Sequence, residues 1–239
     1  MALSEADVRQ YREEGYVLVR SVFDAQQVAS LRQGFDHLEQ LVRQPALPLH
    51  FWERQYNPSK DGRNAPRVYV HIQPPSGEEL AVGTEAAVQH LRKVQWPAYT
   101  HEAFEAVRTS PVWPALLAPL FGDATSLKQY INQVNFKKPG GNITFPLHQD
   151  VRDGAVDTPL QTYVQTYTLV DDATENNGCL YVVPKSQAFG NLGRVALQQR
   201  LADEGVDLDK GLGGVVACTG KAVSTGAAPP PQLDFQGLI

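Results

Sequence analysis

The feature that most constrains the fold is a run of four strand-like stretches between residues 125 and 184. Each is rich in β-branched and aromatic residues, and clusters of Gly, Pro, Asn and Asp separate them as turns would. The stretches read SLKQYINQVNFKK, ITFPLHQDV, QTYVQTYTLV and GCLYVVP. Along the third, alternation places Tyr163, Gln165, Tyr167 and Leu169 on one face. Successive strands of this kind predict a β sandwich or barrel.

Helical patterns fill the first half of the chain. Ser4 is a predicted N-cap of a helix that Gly15 ends, residues 16–20 then predict a strand, and Asp24 opens a second helix. Apolar residues recur every three or four positions on one face of that helix: Val28, Leu31, Phe35, Leu38 and Val42. Two further helices are predicted at 83–94 and 101–120, the latter kinked or divided by its prolines. Helices followed by strands predict an α+β protein.

The length of 239 residues predicts one domain over 1–239. We expect a helical part at about 1–121, a β core at about 125–222 and a poorly ordered tail at 223–239. A net charge of -5 gives no general attraction for nucleic acid or for an anionic membrane. No stretch has signal-peptide character or transmembrane length, which predicts a cytoplasmic protein that acts on neither membranes nor nucleic acids.

The predicted strand ITFPLHQDV carries the most informative pair of side chains. Residues i and i+2 of a strand point to the same face, so His148 and Asp150 present an imidazole and a carboxylate side by side. With a further imidazole, these groups would form the facial triad of non-haem Fe(II) oxygenases. The alternative is a hydrogen-bonded surface pair without a metal, because H-x-D alone is a short and common pattern.

Longer motifs around the pair carry a family resemblance. The segments NFKKPGGNITFPLHQD and QTYTLVDDATENNGCLYVVPKSQ, with the N-terminal LSEADVRQYREEGYVLVRSVFDAQQVASLR, resemble the phytanoyl-CoA dioxygenase family of Fe(II)/2-oxoglutarate oxygenases. The resemblance covers roughly residues 3–42 and 125–190. It implies a double-stranded β-helix, the cupin-like jelly roll, with the metal near one mouth.

The resemblance also implies roles for single residues. His148 and Asp150 correspond to two iron ligands, while Asn135, Gln133 and Tyr167 lie where the family binds its cosubstrate. The alternative for Gln133 and Tyr167 is ordinary strand packing. The implied reaction consumes 2-oxoglutarate and O2, releases succinate and CO2, and hydroxylates a substrate C–H bond. No catalytic group beyond the metal ligands is implied.

The chain departs from the family pattern after these motifs. The family has a second histidine ligand and then an arginine for 2-oxoglutarate, but no histidine follows His148 and no arginine follows Arg200. Asp234 and Lys221 are the substitutes to consider. Two hypotheses remain: an oxygenase whose C-terminal part is truncated or altered relative to the working enzyme, and a non-catalytic relative that acts as a binding or interaction protein.

Candidate substrate residues lie outside the metal strand. Residues 45–80 are rich in Pro, Gly, Asn and aromatics, which predicts a loop over a pocket, with Trp52 and His71 as candidates. Arg152, two residues past the metal pair, is a third candidate. Ordinary loop packing is the alternative for the first two. We expect a small-molecule substrate, while its identity and the oligomeric state stay open.

Overall fold

The structure is a computed structural model of the chain. It describes residues 1–45, 51–53, 68–73, 80, 82–122, 127, 129, 131–139, 147–150, 163–206 and 216–220, with the backbone alone described for 51–53. The predicted roles of Arg152, Lys221 and Asp234, and of the Trp52 side chain, therefore fall outside the described residues.

Six α-helices are formed in the described part of the chain. Their bounds are α1 Glu5–Glu14, α2 Ala25–Val42, α3 Glu85–Gln89, α4 Glu102–Arg108, α5 Val112–Phe121 and α6 Arg194–Asp203. The caps predicted for the first two are present: Ser4 and Asp24 each form a capping box, and Gly15 ends α1 at a φ of 86°. None of the described helices is both long enough and apolar enough to cross a membrane.

The described strands form one sheet of four and one sheet of two. Their bounds are β1 Phe51–Glu53, β2 Val68–Ile72, β3 Leu91–Gln95, β4 Gln133–Asn135, β5 Leu180–Val182 and β6 Val216–Cys218. The larger sheet has the order β1-β2-β3-β4, with β1 parallel to β2 and the other pairs antiparallel. The smaller sheet pairs β5 with β6 antiparallel.

The larger sheet has one apolar face and one polar face. Val70, Val94 and Val134 lie in register on the first face and pack with the core that α2 and α4 cover. The residues that flank these valines along each strand point to the other face. That second face carries Tyr69 and His71 of β2, Lys93 and Gln95 of β3, and Gln133 and Asn135 of β4.

Helices α2 and α4 lie close together because α2 has a glycine at their contact. Gly34 of α2 is buried, and a Cβ atom there would lie 2.9 Å from two ring atoms of Phe104 in α4. Phe35 completes the contact with edge-to-face ring packing against Phe104 and Phe136. The core therefore sits between α2, α4 and the valine face of the sheet.

Several predicted elements are different in the structure. The helix predicted at 83–94 is only the short α3 followed by β3, and residues 16–20 form no strand. The helix predicted at 101–120 is divided into α4 and α5, with Pro111 at the N-cap of α5, as expected. The loop predicted at 45–80 contains the core strand β2, and residues 163–170 belong to none of the named strands.

The cause of the wrong helix prediction is a bulge. The register between β2 and β3 shifts at His71 and Ile72, so that Leu91 and Val94 are both fully buried at a spacing of three. A spacing of three imitates a helix in the sequence. The structure is a mixed helix and strand protein with small sheets, in agreement with the α+β class, while the jelly roll stays a prediction.

Candidate functional site

His148 and Asp150 lie together on one side of a short segment. His148 Nε2 is 3.3 Å from Asp150 Oδ1, and the two side chains are 30% and 37% exposed. The residues beside them point the other way, since Leu147 packs with Leu197 and Leu201 of α6. The structure thus brings together the two predicted metal ligands at a solvent-accessible position.

Gln149 fastens this segment to the chain before α6. Its side-chain amide donates to the carbonyl of Gly190 at 2.7 Å, and the Leu192 N–H donates to its carbonyl oxygen at 2.8 Å. Leu147 is buried as well. Leu147 and Gln149 therefore both fix the short segment that carries His148 and Asp150. His148 and Asp150 line a cleft, which Leu147 and Gln149 also border.

The cleft has a volume of about 1410 Å³ and also borders the polar face of the larger sheet. Gln133 and Asn135 line it, and the Gln133 amide donates to Asn135 Oδ1 at 3.5 Å. Their side chains are half-buried. The two amides therefore offer both hydrogen-bond donors and acceptors to a polar ligand beside the His148–Asp150 pair.

Sequence reasoning missed Lys93, which lies opposite Asn135 in the register of β3 and β4 and lines the same cleft. Burial lowers the pKa of its ammonium group, as does Arg92, while the carboxylate of Asp150 acts in the opposite direction. Lys93 is thus a positive charge close to the predicted metal pair. The prediction of a helix over 83–94 hid it, because a helix gives no reason to group this lysine with Asn135.

Tyr167 lies next to the same carboxylate. Its hydroxyl donates to Asp150 Oδ2 at 3.5 Å. Desolvation raises the pKa of this hydroxyl well above its usual range, and the negative charge of Asp150 adds to the effect, so Tyr167 is neutral and can act as a donor at neutral pH. Tyr163 donates to Gln165 at 2.7 Å on the same segment. Tyr167 therefore contacts a predicted metal ligand, whereas the family resemblance predicts a place beside the cosubstrate.

His71 lies on the polar face without joining the metal pair. Its Nε2 is 3.4 Å from Gln95 Oε1, and no group of three or more His, Cys, Asp or Glu side chains that could hold a metal is found among the described residues. Desolvation lowers the pKa of His71 from its usual 6.5 to about 4, with Lys93 as a further cause. His71 is thus a neutral hydrogen-bonding residue of the polar face at neutral pH.

The lowered pKa of His71 predicts a loss of stability in acid. In the unfolded chain the His71 imidazole takes up a proton near pH 6.5, whereas in the folded chain it does so only near pH 4. The stability present above pH 6.5 is therefore lost progressively as the pH falls to about 4. Allowing for solvent screening at this partly exposed site, we expect a loss of about 1–2 kcal/mol. In urea denaturation between pH 7 and 4, His71→Gln should lose less stability than the wild type. Equal losses in His71→Gln and wild type would contradict this prediction.

The donors present fit two of the three positions of a metal centre. An imidazole and a carboxylate at hydrogen-bond distance are the nitrogen and oxygen ligands that non-haem iron takes in facial sites. The described residues place no third histidine or carboxylate beside them. The cleft therefore offers two possible metal donors next to a cation and two amides among the described residues.

The family model for phytanoyl-CoA dioxygenase (PhyH) matches residues 11–204 of the chain. Phytanoyl-CoA dioxygenase domain-containing protein 1 of Danio rerio is 23% identical over 203 residues, covering 79% of this chain and 67% of that protein. The crystal structure of EctD from S. alaskensis with 2-oxoglutarate and 5-hydroxyectoine is similar, with a TM-score of 0.53 and 18% identity over 92% of this chain. The match spans 65% of the EctD chain, and similarity at this identity concerns the fold.

Proposed function

This chain belongs to the phytanoyl-CoA dioxygenase family, and on that premise we propose that it is an Fe(II)- and 2-oxoglutarate-dependent dioxygenase that hydroxylates a C–H bond of a small molecule. The observation that carries the proposal is the His148–Asp150 pair, 3.3 Å apart at the border of a polar cleft. The 2-oxoglutarate in the EctD structure supports the same cosubstrate here.

In this proposal His148 Nε2 and the Asp150 carboxylate hold the iron. Bound Fe(II) supplies the redox chemistry that couples decarboxylation of 2-oxoglutarate, to succinate and CO2, to hydroxylation of the substrate. Tyr167 is the positioning residue for Asp150, because its hydroxyl contacts one carboxylate oxygen while His148 contacts the other. Gln149 keeps the segment aligned by its two hydrogen bonds to residues 190 and 192.

The polar face of the sheet binds the cosubstrate in this proposal. 2-Oxoglutarate is a dianion, and Lys93 provides a half-buried positive charge beside Asp150. Gln133 and Asn135 provide amide donors for the remaining carboxylate and keto oxygens. No arginine follows Arg200 in this sequence. In this proposal Lys93 binds the 2-oxoglutarate carboxylate that an arginine binds in the family pattern.

The direct test is anaerobic visible absorption during titration of the protein with Fe(II) and then 2-oxoglutarate. A charge-transfer band that needs both components is expected, because chelation of iron by 2-oxoglutarate produces one. Formation of succinate from 2-oxoglutarate in air should then follow the iron content. Absence of both the band and succinate would overturn the proposal.

Lys93→Met is expected to weaken 2-oxoglutarate binding more than iron binding. Loss of a charge-assisted hydrogen bond costs about 1.5–3 kcal/mol, which corresponds to an increase of roughly 10- to 100-fold in the 2-oxoglutarate Kd. The measurement is the 2-oxoglutarate titration of the absorption band at saturating Fe(II). The control is Lys185→Met, since Lys185 is 69% exposed and pairs with Glu14. An unchanged 2-oxoglutarate Kd in Lys93→Met would remove this lysine from the site.

The second candidate function is that of a non-catalytic binding protein. The observation in its favour is that only two metal donors meet among the described residues. A protein of this kind would bind a dicarboxylate at Lys93 and the two amides without iron. Calorimetry with 2-oxoglutarate in the presence of a chelator distinguishes the two functions, because this candidate predicts binding that iron does not strengthen.

A further inference from the structure

One wall of the cleft is a segment that no helix or named strand contains. Residues 163–170 all line the cleft, include no helix, turn or bend, and belong to none of the named strands. Residues 166–169 are exposed, so little packing fixes them. Segments with exposed backbone and few buried contacts open locally at a low cost in free energy. The position of this wall therefore depends on individual anchoring contacts.

Tyr167 connects the position of this wall to the metal pair. Its hydroxyl donates to Asp150 Oδ2 at 3.5 Å, while His148 Nε2 lies 3.3 Å from the other oxygen of the same carboxylate. A donor–acceptor distance of 3.5 Å is at the long limit of a hydrogen bond, and a slightly longer contact is no longer one. A small outward shift of the backbone at residue 167 would therefore release Asp150 from Tyr167.

Arg32 of α2 anchors the wall at its far end. Its Nη2 donates to the Val170 carbonyl at 3.1 Å, and its Nε donates to Asp171 Oδ1 at 3.2 Å. The planar guanidinium fixes the directions of these two bonds relative to each other, so Arg32 holds the backbone of one residue and the side chain of the next. The course of the chain from Val170 back to Tyr167 is restricted as a result.

The helix that carries the anchor is itself well fixed. Arg32 follows the buried Leu31 in α2, which has 18 residues and a capping box at Asp24. Val170 comes three residues after Tyr167, so their Cα atoms are at most about 11 Å apart. Tyr167 thus lies only a short stretch of chain away from a point that is bonded to a core helix.

We propose that Arg32 is a positioning residue of the site, which holds residues 163–170 in place and thereby keeps the Tyr167 hydroxyl on Asp150. Arg32 is not itself part of the cleft wall, so it acts on the metal pair through this segment. The effect on iron binding rests on the proposed function, whereas the anchoring of the segment does not.

The alternative is an ordinary surface ion pair. The side chains of Arg32 and Asp171 are 29% and 54% exposed, and solvent-accessible pairs contribute little to global stability. Arg32→Gln is therefore expected to fold. The alternatives differ in their local effect, because an ordinary surface pair would change neither the opening of residues 163–170 nor the binding of iron.

The first experiment is limited proteolysis of the full chain without metal, with the initial rate of chymotrypsin cleavage after Tyr167 measured by mass spectrometry. Cleavage follows the population of the locally open segment, and a hydrogen bond to a charged group contributes about 1.5 kcal/mol or more, so Arg32→Gln should be cleaved there about tenfold faster. Equal cleavage rates in Arg32→Gln and wild type overturn the proposal.

The matched control is Arg43→Gln. Arg43 is the C-cap residue of the same helix and pairs with Glu85, away from the cleft walls. Its replacement removes an arginine and an exposed ion pair from α2 without touching residues 163–170. Cleavage after Tyr167 and the Fe(II) Kd should both equal those of wild type. If Arg43→Gln speeds cleavage as much as Arg32→Gln, the effect belongs to the helix as a whole and the anchoring role of Arg32 is overturned.

The second experiment tests whether Arg32 acts through Tyr167. Loss of an outer hydrogen-bond partner of a metal ligand costs roughly 10- to 100-fold in affinity, so Tyr167→Phe should raise the Fe(II) Kd about tenfold. Arg32→Gln should also raise it, and the double variant should bind iron no more weakly than Tyr167→Phe, because the same contact is lost. A merely stabilising role of Arg32 would not depend on the residue at 167. Effects that multiply in the double variant overturn the action through Tyr167.

The two experiments separate this proposal from the proposed function. If wild type binds no iron, the proposed function fails, and cleavage after Tyr167 still decides whether Arg32 anchors the segment. If wild type binds iron but Arg32→Gln is cleaved at the wild-type rate, the anchoring fails and the function stands.

Discussion

His148→Ala is expected to abolish the absorption band of the Fe(II)–2-oxoglutarate complex and the formation of succinate. In the proposed site, His148 and Asp150 are the two metal donors among the described residues, so losing the imidazole leaves a single carboxylate there. The loss in iron affinity should exceed the roughly 10- to 100-fold that removal of an outer hydrogen-bond partner of a metal ligand costs. Iron content after dialysis and succinate release give the two measurements.

The control for His148→Ala is His37→Ala. His37 lies in α2, where its ring packs 5.4 Å from that of His101, away from the cleft walls. That variant should keep the iron affinity and the succinate rate of the wild type. A His148→Ala protein that binds iron as tightly as wild type would place the metal elsewhere and contradict the site.

Gly34→Ala is expected to destabilise the protein, although alanine favours helices over glycine by about 1 kcal/mol. The added methyl would lie 2.9 Å from two ring atoms of Phe104, so α2 and α4 would have to move apart. Overpacking of a tight core costs typically 1–3 kcal/mol, and we expect a net loss of about 1–2 kcal/mol after the gain in propensity. The measurement is the free energy of unfolding in urea.

The neighbouring Gln33→Ala serves as the matched control. Gln33 is exposed on the same helix, so its replacement should change stability by less than about 0.5 kcal/mol. Gly34→Ala with a stability at or above that of wild type would mean that the ring of Phe104 can move aside. The contact between α2 and α4 would then be looser than the structure indicates.

Local rules are sufficient for the helix ends and for the proximity of His148 and Asp150. Ser4, Asp24 and Gly15 act through backbone groups within three or four residues, so the sequence alone predicts their caps. His148 and Asp150 come together through their spacing of two residues, although residues 147–150 form no strand. In each of these cases the partner is close in sequence.

The polar face is not predictable in the same way. Lys93 comes beside Asn135 only through the pairing of β3 with β4, and a bulge disguises β3 as a helix. His71 falls in a predicted loop for a related reason, since β2 is buried through contacts with distant elements. Register between strands far apart in sequence is set by the whole core, and no local pattern contains it.

The segment PKSQ, residues 184–187, stands where the family pattern has PGSH, and the structure shows how this difference is accommodated. Lys185 has a φ of 66°, a conformation that glycine adopts more easily, and the structure keeps it with a hydrogen bond from its N–H to the Glu14 carbonyl. Gln187 donates to the carbonyls of Arg12 and Glu13 at the end of α1. The changed residues thus attach the turn to the first helix.

The polar face of the sheet and the metal pair come from separate stretches of the chain. Lys93, Gln133 and Asn135 belong to strands that are complete by residue 135, whereas both metal donors follow at 148 and 150. Selection can act on these two parts independently, since substitutions at the donors leave the paired strands intact. A descendant that lost both donors would therefore still have a cleft lined by one lysine and two amides.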